Sequence, residues 1–284
     1  MSGSLDAHGL IEAGRGAEAL PALETSSQEG DGGASHLLAI LHARGAWMPK
    51  DWPRALKFLA LAAEQGSAEA ATELRLISPT DDLERLFGAP ERRNLCESPR
   101  VRQIDGFLTG AVCDFLIERG RGGLAPAATL ERGPDGERTR TVSEHRTNSA
   151  LALGLVEGGV LMALIAERIA RALKVPSAVF EAPQLFHYAT GQEFRPHIDY
   201  IEGAATQRIA TFLVYLNDDF QGGETWFPLA DLKAKPPRGG AVYFANVDLE
   251  NQPDPNSLHA GTAPTRGEKW LLSQWIRDKP YTGD

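Results

Sequence analysis

Cys96 and Cys113 are the only cysteines in this chain of 284 residues. They are too few for a disulfide framework and lack the paired spacing of a zinc site, so both read as ordinary reduced thiols. No run of about 18 apolar residues exists to cross a bilayer. The opening MSGSLDAHGL also lacks the basic and apolar regions of a secretory signal. A soluble, cytoplasmic protein with no membrane partner is the expectation. Basic residues are in deficit as well: 29 Lys and Arg against 38 Asp and Glu leave a formal charge of -9. That balance argues against a nucleic-acid partner, because phosphate contacts need clustered cations.

The apolar fraction of 42% is ordinary for a globular protein, and the length admits two domains or one domain with an appendage. Residues 1–80 are rich in Ala and Leu and repeat when shifted by 36 positions. Ala19, Leu20, Leu23, Gly30, Ala34 and Leu38 fall on Ala55, Leu56, Leu59, Gly66, Ala70 and Leu74. Such a period predicts stacked helical hairpins. The stretch RALKFLALAAEQGSAEAATELRLI resembles the Sel-one-like variety of tetratricopeptide repeat. ISPTDD (residues 77–82) carries a Pro and cap residues, which places a linker over 81–97 and a second domain over 98–284. Thr109 is expected to cap a helix ending near Gly120. TLERGPDGERTRTVSEHRTNS reads as a hairpin or mobile loop, and 151–173 has helical period.

From residue 180 the texture changes to short runs rich in Val, Phe, Tyr, Trp and Thr, broken by Gly, Pro, Asn and Asp. QLFHY, FRPHIDY, RIATFLVYLN, GETWFP, GAVYFAN, SLHAG and KWLLSQWI are the expected strands. Their number and short spacing suggest a two-sheet jelly roll or closed barrel. The expected fold class is therefore α+β in two parts, with an all-α amino-terminal region followed by a β domain. The helices over 109–120 and 151–173 are expected to act as its buttresses.

Composition alone would produce a His-x-Asp triplet roughly 0.4 times in such a chain, so RPHIDY means little by itself. Strand alternation would set His197 and Asp199 on one face, where both could reach one ion. His259, in SLHAG, is a candidate third ligand. Two histidines and one carboxylate on one side of an octahedron leave three positions open, the arrangement of non-haem iron(II) oxygenases. Alternation in KWLLSQWI also aligns Lys269, Leu271, Ser273 and Trp275. If that face lines the barrel, the Lys269 ammonium needs an anion.

HYATGQEFRPHID, RIATFLVYLND, GGETWFP and DPNSLHAGTAPTRGEKWLLSQWI together resemble the prolyl 4-hydroxylase branch of the iron(II)/2-oxoglutarate-dependent dioxygenases, from about residue 97 to the C terminus. The resemblance implies a double-stranded β-helix, with Fe(II) held by His197, Asp199 and His259 and with 2-oxoglutarate and O2 as cosubstrates. It further implies that Lys269 pairs with the distal carboxylate of 2-oxoglutarate, with Tyr188 and Thr225 as hydrogen-bond partners. Arg146, Arg208 and Trp275 would border the substrate groove, and ascorbate would be an activator. The implied reaction is hydroxylation of a prolyl residue in a protein or peptide, with release of succinate and CO2 and with the helical repeats selecting the partner. Two departures lie on the substrate side: Phe194 stands where the family often has Tyr, and RTNS replaces its more usual RTS.

Three other readings remain at this level: the same chemistry on a free amino acid or other small molecule, an inactive adaptor on the oxygenase fold, and a zinc hydrolase. The last lacks an obvious glutamate base beside the triad. His8, His36, His42 and His145 have no evident partner and are expected in solvated or packing roles. His187 is expected to face away from Tyr188, its neighbour in the strand.

Overall fold

The computed structural model describes residues 2–78, 82–88, 90–132 and 138–280. The chain divides into two compact units, residues 1–88 with 154–175, and residues 89–153 with 176–284.

The first unit is helical. It holds α1 (Ser2–Glu12), α2 (Gly16–Gln28), α3 (Gly32–Arg44), α4 (Trp52–Glu64), α5 (Ala68–Ile77) and α6 (Leu83–Phe87). The chain then passes to the second unit, which contains α7 (Gly110–Arg121), and returns to the first as α8 (Gly159–Leu173). α2 and α4 are each 13 residues long. Gly30 and Gly66 follow them at φ of 95° and 91°, in the left-handed region that glycine enters without steric cost. Asp31 and Ser67 then cap α3 and α5, their side-chain oxygens accepting from backbone N–H groups of the first turn. Ala19, Leu23, Ala34, Leu38, Ala55, Leu59 and Ala70 are all buried. Alanines at these positions let helix axes approach closely.

Two sequence expectations are corrected here. The helix predicted over 151–173 begins only at Gly159, and Ser149–Ala152 is a strand. Moreover, α8 belongs to the first unit, where it packs with α3, α5 and α6. Its exposed first-turn N–H groups explain the docking: the Glu73 carboxylate from α5 accepts from Val160 N at 3.0 Å and Leu161 N at 3.3 Å. The same carboxylate meets His36 Nε2 at 2.9 Å, giving His36 a buried partner that its sequence context did not reveal. The presumed linker over 81–97 is also structured, since it carries α6 and the first strand; residues 79–81 and 89 lie outside the described residues.

The second unit is built from antiparallel sheets. In chain order the strands are β1 (Arg93–Cys96), β2 (Val101–Ile104), β3 (Ala125–Pro126), β4 (Thr129–Arg132), β5 (Arg138–Thr141), β6 (Ser149–Ala152), β7 (Gln184–Tyr188) and β8 (Phe194–His197). There follow β9 (Arg208–Tyr215), β10 (Gln221–Gly222), β11 (Thr225–Phe227), β12 (Leu232–Ala234), β13 (Ala241–Ala245), β14 (His259–Gly261), β15 (Pro264–Arg266) and β16 (Lys269–Arg277). The larger sheet runs β1-β2-β13-β9-β16-β7-β6-β3 and the smaller β12-β11-β14-β8. Side chains of both meet in one core: Phe227 from the smaller sheet lies edge-on to Phe244 from the larger, with ring centroids 5.1 Å apart. This is the jelly-roll layering expected from the seven strand-like runs. Thr109 caps α7 as expected, and β4 pairs with β5 as a hairpin whose turn, residues 133–137, lies outside the described residues.

Candidate active site

The antiparallel register of β14 with β8 sets His259 directly opposite His197, and their ring centroids lie 4.3 Å apart. Asp199 stands two residues further along, beyond the end of β8, so backbone parity within a strand is not what brings it in. Thr211, on β9 of the facing sheet, donates to Asp199 Oδ2 at 2.5 Å and itself accepts from Asn246 Nδ2 at 3.1 Å. That chain of bonds aims the carboxylate between the two imidazoles. His197 Nε2 is 3.6 Å from Asp199 Oδ1, and His259 Nε2 is 3.7 Å from Oδ2. These separations are too long for good hydrogen bonds and leave room for a cation among the three groups, whose ligand atoms all lie within 4.8 Å of one another.

The tautomers also fit a metal. His197 Nδ1 lies 2.7 Å from the Arg195 carbonyl and His259 Nδ1 2.9 Å from that of Ser257. Each Nδ1–H thereby finds its acceptor in a backbone oxygen, and each Nε2 lone pair points inward. Burial, then the neighbouring His197, push His259 down to about 4, so it is a neutral ligand near pH 7. Burial works against ionisation of Asp199, but the imidazoles of His259 and His197 outweigh it and hold the carboxyl well below the usual carboxylate range. Thr211→Val removes the donor that orients Asp199 and should lower iron(II) affinity about 10- to 100-fold, measured by anaerobic titration, with the fold retained.

Deeper in the same cavity β16 pairs with β7 so that Lys269 lies opposite Tyr188. Lys269 is fully buried, and its Nζ has no hydrogen-bond partner among the described residues. It sits 4.9 Å from the centre of the Tyr188 ring and 5.1 Å from that of Tyr215. Burial drives the ammonium down to about 7, with Glu224 partly opposing. Ser273 Oγ and Trp275 Nε1, from the same face of β16, are likewise buried and unpaired. Three polar groups left unsatisfied along one strand mark a place for a polar ligand, because such groups are otherwise costly to bury. Tyr188 is pushed up to about 12 by burial and keeps its proton, so its hydroxyl can donate.

Thr225 lines this cavity as expected, but its hydroxyl is already engaged with Tyr215 Oη at 2.8 Å, while Tyr215 donates to the Ala234 carbonyl at 3.1 Å. Tyr215, Thr211 and Asn246 are the residues that sequence reasoning missed. Parity in RIATFLVY would have aligned Thr211 and Tyr215 with each other. It does not reveal that this face looks into the site.

The three predicted substrate residues converge on a groove of about 650 Å³ that opens beside the triad. Arg146 is buried, with its guanidinium 4.7 Å from the Phe194 ring centre and 4.6 Å from that of Phe186. Its Nε donates to Asn148, and its Nη2 has no partner. Phe194 stacks on His197 with ring centroids 3.4 Å apart. Arg208 is committed to a bidentate pair with Glu181, at 2.6 and 2.8 Å, and lies over Trp275 at 3.8 Å. It therefore shapes the wall of the groove through Trp275. His145, expected to be unremarkable, is also part of the lining. His187 turns away as expected and meets Glu268 at 2.8 Å.

Residues 183–277 match the family described as the 2OG-Fe(II) oxygenase superfamily, a span that holds the triad, Lys269, Tyr188, Thr225, Arg208 and Trp275. The chain is 34% identical to prolyl 4-hydroxylase 1 of Arabidopsis thaliana over 203 residues, covering 64% of this chain and 70% of that protein. It is 32% identical to prolyl 4-hydroxylase 13 of the same plant, covering 65% and 73%. Among solved structures it resembles a viral collagen prolyl hydroxylase from Paramecium Bursaria Chlorella virus-1 in complex with 2OG. There the TM-score is 0.50 and the identity 28%, over 64% of this chain and 98% of that one.

Proposed function

We propose that this chain, which belongs to the 2OG-Fe(II) oxygenase superfamily, hydroxylates a prolyl residue in a protein or peptide, consuming 2-oxoglutarate and O2 and releasing succinate and CO2. The observation that carries the reading is the pairing of an inward-facing His-Asp-His set with the buried, unpartnered ammonium of Lys269 in one cavity. The donor set of two imidazoles and one carboxylate suits iron(II). When bound, iron(II) and 2-oxoglutarate together supply the means to insert an oxygen atom from O2 into an unactivated C–H bond. Asp199 and the Nε2 atoms of His197 and His259 would hold the ion. Lys269 holds a carboxylate at the cavity floor, and Tyr188 is placed to donate to it. Arg146 and Trp275 border the groove, and their unpaired Nη2 and Nε1 would donate to carbonyl oxygens of an extended peptide, which has no internal hydrogen bonds to satisfy them.

The first unit, with its 36-residue offset between α2 and α4, supports reading it as Sel-one-like repeats that select the partner. The cytoplasm is the proposed compartment, on the two unpaired thiols, and ascorbate is the proposed activator. The test is succinate release by the purified chain with iron(II), ascorbate and 2-oxoglutarate, comparing proline-containing peptides with free proline. Peptide-dependent release with a gain of one oxygen on proline is expected. Turnover on free proline alone would assign a small-molecule substrate, and no release with any substrate would assign an inactive adaptor.

A further inference from the structure

β1, β2 and β13 form one edge of the larger sheet, and their register sets Asn94 opposite Arg102 and Arg102 opposite Tyr243. The flanking Val101, Gln103, Val242 and Phe244 are buried, so alternation turns the Asn94-Arg102-Tyr243 row to the opposite face. Arg92 and Arg100 lie just outside β1 and β2, next to their first residues. These five residues line a cavity of about 330 Å³ that contains none of the His-Asp-His site.

The roles within the row differ. Arg102 is consumed by the frame: it donates to Asn94 Oδ1, to the carbonyls of Cys96 at 2.9 Å and Val101 at 3.2 Å, and to Glu97 at 3.1 Å. Asn94 in turn donates to Glu97. Arg100 gives Nη2 to the Val247 carbonyl at 3.2 Å. Arg102 is thus paired with Glu97, while Arg92 and Arg100 line the same cavity. The half-buried Tyr243 hydroxyl lies among them. Burial raises its pKa, with Arg100, Arg92 and Arg102 opposing, and it is a neutral donor at physiological pH.

We propose that this cavity binds a phosphate-class oxyanion, gripped by Arg92, Arg100 and the Tyr243 hydroxyl on a frame set by Asn94 and Arg102. Guanidinium forks pair two donors at once with such oxygens, and donors arriving from three residues suit a tetrahedral group.

The full chain, with 2-oxoglutarate saturating so that Lys269 is engaged, is titrated calorimetrically with inorganic phosphate at an ionic strength held constant with chloride. Saturable binding is expected. The double variant Arg92→Gln/Arg100→Gln should weaken it at least about tenfold, since hydrogen bonds to charged groups are among the stronger ones. Tyr243→Phe should weaken it less, and Lys269→Met should leave it intact. Thermal midpoints and succinate release of the Arg92→Gln/Arg100→Gln and Tyr243→Phe variants should match the parent. Heat no greater than that of chloride, binding that survives the double variant, or binding lost with Lys269→Met would each overturn the assignment.

Discussion

His197→Ala is expected to abolish 2-oxoglutarate-dependent succinate release. The cavity offers the metal three protein ligands, and removing one leaves an imidazole and a carboxylate that cannot fix the remaining geometry. Partners one step behind metal ligands already cost about 10- to 100-fold when removed, so the loss here should exceed about 100-fold. The readouts are succinate production and anaerobic iron(II) titration, with circular dichroism to show that the sheets persist. Equal succinate release by wild type and variant would remove the triad from the chemistry.

Lys269→Met is the second large effect, and it separates cosubstrate binding from folding. Losing one partner of a buried, hydrogen-bonded charge pair costs about 2–5 kcal/mol, so the apparent affinity for 2-oxoglutarate should fall by about 30- to several-thousand-fold, with iron(II) affinity retained. The ligand-free protein should respond in the opposite direction. Because burial lowers the Lys269 pKa from 10.5 to about 7, the unfolded chain holds a proton between those values that the folded chain has released. Folding stability of the parent therefore rises with pH across that window, by up to about 1.4 kcal/mol per unit. Below about 7 the folded state bears the full cost of a buried ammonium. Lys269→Met should accordingly be more stable than the parent at pH 6, and the difference should shrink toward pH 10, as measured by denaturant unfolding. A constant difference across that range would place the Lys269 charge elsewhere.

Why some of this was legible in the sequence and some was not follows from what each signal encodes. His197, Asp199, His259 and Lys269 were found because motif order and spacing single them out, and all four line one cavity. Strand alternation nonetheless does not account for Asp199. It lies past the end of β8, and its aim is set by Thr211 and Asn246 from other strands. Such partners depend on cross-strand register, which periodicity along one strand does not contain. The same limit hid the engagement of Thr225 with Tyr215. Arg208 lines the groove, but its pairing with Glu181 depends on a residue 27 positions away with no motif to announce it. For α8, helical period marked the element without saying which unit its apolar residues would enter. Only the Glu73 carboxylate and the α3, α5 and α6 surfaces decide that.

The excursion of residues 154–175 into the first unit bears on how this protein can be dissected. A chain begun at residue 98, where composition invites a cut, would still carry α8 but none of the helices that clothe Val160, Leu161, Ile165 and Ile169. Its first turn would lose Glu73 as well. What looks like a detachable amino-terminal appendage is half of a discontinuous body whose other half is threaded through the oxygenase segment. No single cut in the chain separates the two units.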